Sequence, residues 1–115
     1  MITLYGIKNC DTVRKARRWL AEHDVEYRFH DFRADGISED MLTPWIEEMG
    51  WEALLNRRGT TWRKLPQPER DSIDRGSAIH LMLTQPAVIR RPVLDTGRVR
   101  HIGFSEETYR SLLQE

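Results

Sequence analysis

The sequence predicts an α/β fold with a mixed four-stranded sheet, and three observations carry that expectation. Strand, helix and strand patterns succeed one another over the first third of the chain, a helical block occupies about 37 to 85, and a strand pair followed by a helix closes the chain. Strand–helix–strand over about 30 residues is the size of a parallel βαβ unit, whereas the turn at Thr96-Gly97 joins two antiparallel strands. The order is βαβ, helices, ββα. No internal repeat or low-complexity linker separates the helical block, so it reads as an insertion in one domain spanning 1–115.

Each element has a local cause. Ile2 to Tyr5 is short, β-branched and aromatic, and Gly6 to Asn9 forms the loop after it. From Asp11 to His23, the residues Val13, Ala16, Arg17, Leu20 and Ala21 recur at helical spacing, with Trp19 beside that stripe. Val25 to Phe32 alternates, placing Val25, Tyr27, Phe29 and Asp31 on one side, before Ala34-Asp35-Gly36 breaks the pattern. Ser38 is the expected N-cap of a helix whose apolar face is Leu42, Trp45, Ile46 and Met49. A short helix through Trp51–Asn56, a turn at Gly59-Thr60-Thr61 and a helix from Ser77 to Thr84 follow, the last stopped by Gln85-Pro86. Strand composition returns from Ala87 to Asp95 and from Arg98 to Phe104, and Ser105 caps a helix carrying Tyr109, Leu112 and Leu113.

Charge and cysteine content narrow the function. The 18 Lys and Arg balance 18 Asp and Glu, so no bulk field draws the chain to nucleic acid or to an anionic membrane, and any anion site is local. No apolar run approaches a membrane span, and the N-terminus enters a strand pattern without a charged-then-apolar leader, so a cytoplasmic location is expected. His23, His30, His80 and His101 are scattered, without metal spacing, so no metal and no bound cofactor is expected. Trp19, Trp45, Met49, Trp51 and Met82 read as core, and Trp62 as the exception available to a ligand.

Cys10 is the one cysteine, which excludes an intramolecular disulfide. By composition alone a lone thiol is a small buried hydrophobe. Its position argues otherwise: it lies in a polar loop between Asn9 and Asp11, at a helix start where free N–H groups and the helix dipole favour a thiolate. Lys8 and Arg14 add positive charge, Thr12 adds a hydroxyl, and Asp11 opposes them unless its carboxylate caps the helix.

The run from Tyr5 to Ala16, YGIKNCDTVRKA, resembles the nucleophile loop of the arsenate reductase (ArsC), Spx and YffB family. Further blocks agree in order: Leu54 to Trp62 with Lys64-Leu65, His80 to Leu83 before Pro86, Ile89 to Val93, and Gly103 to Glu106. The resemblance implies a thioredoxin-like fold with a helical insertion. It also implies that Cys10 is the nucleophile, that Arg91 and Arg58 hold an anion, and that Pro92 follows a cis peptide. Two departures matter. The third arginine of the arsenate reductases is replaced in the stretch His101-Ile102-Gly103-Phe104, and Val13 stands where Spx regulators often have a second cysteine.

The resemblance is greatest to the YffB branch, above all in Asn56-Arg57-Arg58-Gly59-Thr60-Thr61-Trp62, and implies a glutathione-dependent thiol reductase. One thiol dictates a monothiol cycle, with a mixed disulfide resolved by an external thiol. The expected partners are glutathione, a disulfide or oxidised substrate, and glutaredoxin or another protein. The alternatives are an Spx-like regulator that binds RNA polymerase and an arsenate reductase.

Overall fold

A computed structural model of the chain describes residues 1–113. They form two compact units, one of Met1–Asp35 with Arg91 onwards and one of Gly36–Arg90.

In the first unit β1 (Thr3–Gly6), α1 (Asp11–Glu22) and β2 (Arg28–Asp31) form the expected parallel unit, Leu4 pairing with Phe29. The hairpin β3 (Val93–Asp95) and β4 (Arg100–Ile102) joins antiparallel to β1, giving the order β2-β1-β3-β4. The helix α7 (Glu106–Leu113) follows, its N-cap Ser105 accepting the Thr108 N–H at 3.1 Å. Leu4, Ala16, Trp19, Leu20, Leu94 and Tyr109 make the core, with Val25, Tyr27 and Phe29 packed on it. The buried face of α1 is Val13, Ala16, Trp19 and Leu20, which turns the expected stripe towards the indole and leaves Ala21 exposed. Burying Trp19 gains far more apolar area than burying Ala21 would. Arg17 stays half-buried by laying its guanidinium over the Phe29 ring, 4.1 Å from the centroid, while its Nε donates to Tyr27 Oη at 3.0 Å.

The end of α1 is a Schellman turn. Val25 N–H donates to Leu20 O and Asp24 N–H to Ala21 O, with Asp24 at φ 56° in the left-handed region.

The second unit is helical, and here the local reading needed correction. Helix α2 (Glu39–Met49) starts at Ser38 as expected, the Ser38 side chain accepting from Met41 N–H. A short α3 (Trp51–Leu54) follows. The expected turn at Gly59-Thr60-Thr61 is instead the start of α4 (Thr60–Arg63), a single helical turn that buries Trp62. Trp62, expected to be open to a ligand, is 7% exposed. Met49 and Trp51, expected in the core, are only half-buried.

Helix α5 (Gln67–Asp71) was hidden by its prolines, which are tolerated in a first helical turn because that turn needs no N–H donors. Helix α6 (Arg75–Thr84) begins ahead of Ser77 because Asp74 and Ser77 form a reciprocal capping box. The strand expected from Ala87 is a 3-10 turn at Pro86–Val88 plus one bridge, Leu55 to Ile89. Pro92 removes a donor that a continuous strand would need, so β3 begins only at Val93. The strand expected over Arg98–Phe104 shortens to β4 because Gly97 and Gly103, both with positive φ, bound it.

Candidate thiol site

The loop that carries Cys10 is folded tightly onto its own helix. A Cβ on Gly6 would lie 2.7 Å from Val13 Cγ2, so only glycine lets the end of β1 approach the first turn of α1 this closely. Just past β2, Phe32 N–H donates to Gly6 O at 2.8 Å. The Asp31 carboxylate adds a second tie by accepting Lys8 N–H at 3.3 Å, and it also takes the N–H groups of Arg33 (2.8 Å) and Ala34 (3.3 Å). Burial pushes the Asp31 carboxyl up, but these backbone donors outweigh it and hold the group below the ordinary aspartate value.

Cys10 is the N-cap residue of α1, half-buried, with an extended backbone. Its carbonyl accepts the first intrahelical bond, from Arg14 N–H at 2.9 Å, while its thiol makes no capping bond. The amides of Asp11, Thr12 and Val13 precede that first bond, and such first-turn N–H groups are what a helix start offers to negative charge. Asp11 does not cap the helix. It pairs with Arg14, so the charge of Arg14 is shared with a carboxylate rather than left wholly to the thiol. Lys8 and Thr12 are exposed on the same loop and first turn.

The strand register brings a second segment to this end of the sheet. Tyr5 pairs with Val93, so β3 starts where β1 runs out towards Cys10, and Pro92 immediately precedes it. The Arg91–Pro92 peptide is cis, as the resemblance implied. Pro92 is buried, its carbonyl accepts Gly103 N–H at 2.8 Å, and Arg91 is half-buried. Thus Lys8, Cys10, Thr12, Arg14, Arg91 and Pro92 all belong to the sheet-bearing unit. Arg58 belongs to the helical unit, exposed on the loop between α3 and α4.

His101, in the stretch that lacks the third arginine, is half-buried on β4, where desolvation holds its pKa below the ordinary histidine value. Among the described residues no cluster of three His, Cys, Asp or Glu side chains is placed to hold a metal ion.

Sequence reasoning missed Asp31 as the anchor of this loop. Its signal was present: a carboxylate on the same alternating side as Val25, Tyr27 and Phe29, where an acid must find donors to be buried.

A family model described as the ArsC family matches residues 5–112. The chain belongs to the ArsC family. This ArsC-family chain is 49% identical to a YffB protein of known structure, with 98% of this chain and 99% of the other aligned at a TM-score of 0.93. It is 44% identical to an arsenate reductase (ArsC) related protein from Brucella melitensis, over 99% of this chain and 95% of the other, with a TM-score of 0.80. It is also 31% identical to the global transcriptional regulator Spx of Streptococcus mutans, over 98% of this chain and 83% of that protein. The fold is thioredoxin-like, a likeness that extends, as fold alone, to a glutaredoxin from Archaeoglobus fulgidus at 15% identity and a TM-score of 0.50. No helix among the described residues is long and apolar enough to cross a membrane.

Proposed function

We propose that this ArsC-family protein is a cytoplasmic, glutathione-dependent thiol–disulfide reductase that works through Cys10 alone. The observation that carries the reading is the placement of the one cysteine as an N-cap whose thiol is not spent on capping. A thiolate there gains from the first-turn amides, and the thiolate is the attacking species.

In the proposed cycle the Cys10 thiolate attacks the glutathione sulfur of a mixed disulfide. The S–S bond breaks, the substrate thiolate leaves and takes a proton, and Cys10 is left joined to glutathione. A second glutathione thiolate attacks that sulfur, releasing glutathione disulfide and restoring the Cys10 thiolate. In sum, each mixed disulfide consumes one glutathione thiol and yields one substrate thiol and one glutathione disulfide. Lys8, Thr12 and Arg91 are the residues of this unit assigned to the glutathione peptide, Arg91 as the bidentate partner of a carboxylate. Arg14 is the weaker candidate because Asp11 already occupies it. The backbone beside Pro92 is assigned the peptide contact by resemblance.

The test is reduction of a small mixed disulfide in an assay coupled to glutathione reductase and NADPH, with wild type and Cys10→Ser side by side. Turnover in the wild type that vanishes in the variant is expected; a folded wild type without turnover refutes the reading. Arg91→Gln is expected to raise the apparent KM for glutathione while leaving the protein folded.

The 31% identity to Spx favours a second reading, a regulator that binds RNA polymerase. Retention of purified polymerase on the immobilised protein, undiminished by Cys10→Ser, supports that alternative. Turnover of arsenate with glutathione and glutaredoxin would instead support an arsenate reductase, the reading that the lost third arginine disfavours.

A further inference from the structure

Within the sheet-bearing unit, α1 and the chain that enters α7 line a cavity of about 690 Å³. Lys15, Arg18, Trp19 and Glu22 face it from α1, Phe104 and Glu106 from the start of α7. Its four charged side chains, two of each sign, form no ion pair among the described residues. Arg18 and Glu22 stand four residues apart on α1, a spacing at which opposite charges can meet, and still do not pair.

Glu22 is the least expected of the four. It occupies the last turn of α1, which holds no basic residue, and there the negative end of the helix dipole opposes a carboxylate and favours a cation. A cation brought to Glu22 from outside gains from the carboxylate and the helix end together. Glu106, in the first turn of α7, is already favoured by its own helix. The cavity therefore asks for positive charge at Glu22 and negative charge at Lys15 and Arg18.

The apolar part of the lining is held in place. Trp19 is 6% exposed, and Tyr109 meets both the Trp19 ring and the Phe104 ring edge-on, with centroids 5.9 and 4.8 Å away. The Ser105 hydroxyl accepts Thr108 N–H at 3.1 Å and donates to Thr108 Oγ1 at 2.8 Å, which fixes the start of α7. A wall set before an occupant arrives lowers the cost of binding.

We propose that this cavity docks an extended segment of a partner polypeptide carrying a carboxylate and, two residues away, a cationic side chain. Arg18 and Lys15 stand about 6 and 10 Å from Glu22 along the helix axis, and two residues of extended chain span about 7 Å with both side chains on one face. The carboxylate meets Lys15 and Arg18, the cation meets Glu22, and their aliphatic stems lie on Trp19 and Phe104. A partner of one sign alone leaves the opposite pair of charges unmatched. Thr12 also lines the cavity and belongs to the first turn that Cys10 caps, so a docked segment starts beside the thiol. Docking uses no atom of Cys10 and does not rest on the thiol-reductase reading.

The experiment is an NMR titration of the reduced wild-type protein with acetyl-Ala-Glu-Ala-Lys-Ala-amide at low ionic strength. It reads the backbone amides and the buried Trp19 indole N–H, which has no hydrogen-bond partner among the described residues. Saturable shifts are expected at Lys15, Arg18, Glu22, Glu106 and that indole, weakening as chloride is added. The same peptide with Gln at both charged positions should bind about tenfold more weakly, about threefold for each exposed ion pair lost, and Lys15→Gln with Arg18→Gln should cost the charged peptide as much. Glu22→Lys should reverse the preference, favouring acetyl-Ala-Glu-Ala-Glu-Ala-amide over the Glu and Lys peptide. That side chain is exposed and a cation suits its helix end, so this variant carries the test should the double variant perturb the fold. The peptides hold no sulfur, so lack of reductase turnover leaves a positive titration standing, and lack of binding leaves turnover standing. Shifts that do not saturate, that lie elsewhere or that the uncharged peptide matches overturn the proposal, as does an unchanged preference in Glu22→Lys. Binding of free trialanine without binding of the blocked peptide also overturns it, in favour of a free peptide.

Discussion

Substituting Asp31 by Asn isolates the tie between β2 and the Cys10 loop. The carboxylate accepts Arg33 and Ala34 N–H on Oδ1 and Lys8 N–H on Oδ2. An asparagine that keeps its carbonyl oxygen at the Oδ1 position retains the first two bonds in neutral form and turns its NH2 towards the Lys8 N–H, donor against donor. Hydrogen bonds to a charged group are worth about 1.5–3 kcal/mol each; the Lys8 bond is long and counts at the low end, so the expected loss of stability is about 2 kcal/mol at neutral pH. The residue keeps only 9% of its surface exposed, so solvent replaces the lost acceptor poorly. The sign of the pH dependence follows from a folded-state pKa below the unfolded one. The stabilisation is present in full above the unfolded pKa, near 3.9, and is lost as pH falls through the lower folded value. Urea unfolding of wild type and Asp31→Asn should therefore differ most near pH 7 and converge at strongly acid pH, with hydrogen exchange at the Lys8 amide accelerated in the variant. A difference below about 0.5 kcal/mol at pH 7, within the range of an ordinary surface substitution, would refute the role given to Asp31.

Three further outcomes are expected. Asp24→Gly should stabilise the protein by about 0.5 kcal/mol, because relief of a left-handed L-residue, about 1–2 kcal/mol, exceeds the extra unfolded-state entropy of glycine, about 0.4–1 kcal/mol. Calorimetry should show Tm rising by about 2–4 °C, and an unchanged or lower Tm would contradict the reading of that turn. Tyr109→Phe removes the bond from the buried Tyr109 hydroxyl to Gly103 O, 3.2 Å long, and should cost about 1 kcal/mol in the urea midpoint with an unchanged m-value. In a proton NMR titration His101 should titrate with a midpoint below about 6.5; since its folded-state pKa is depressed, the unfolded chain takes up the proton first and stability declines as pH drops below that value.

The sequence by itself determined the element order, the parallel βαβ unit, the closing hairpin and the N-caps at Ser38 and Ser105. Each depends on local periodicity or on a side chain that reaches a neighbouring amide, and the blocks around Cys10 and Pro92 carry the family resemblance in the sequence itself. It did not determine α4, α5 or the early start of α6: Gly59-Thr60-Thr61 reads as a turn although it also fits a helix start, and Pro66, Pro68 and Asp74 take up their helix-start roles only in the folded chain. Burial of Trp62 and the Asp74–Ser77 box decide such cases, and these are settled by packing and by which donors are left to satisfy. Only the tertiary structure decided how the charged residues are used. Asp11 takes Arg14 rather than capping α1, Asp31 reaches the Lys8 amide from another strand, and the charged residues of α1 share one cavity with the start of α7, far along the chain. The physical reason is range: a periodicity reports which face of an element is buried, whereas a charge acts on whatever the fold brings within a few ångströms of it.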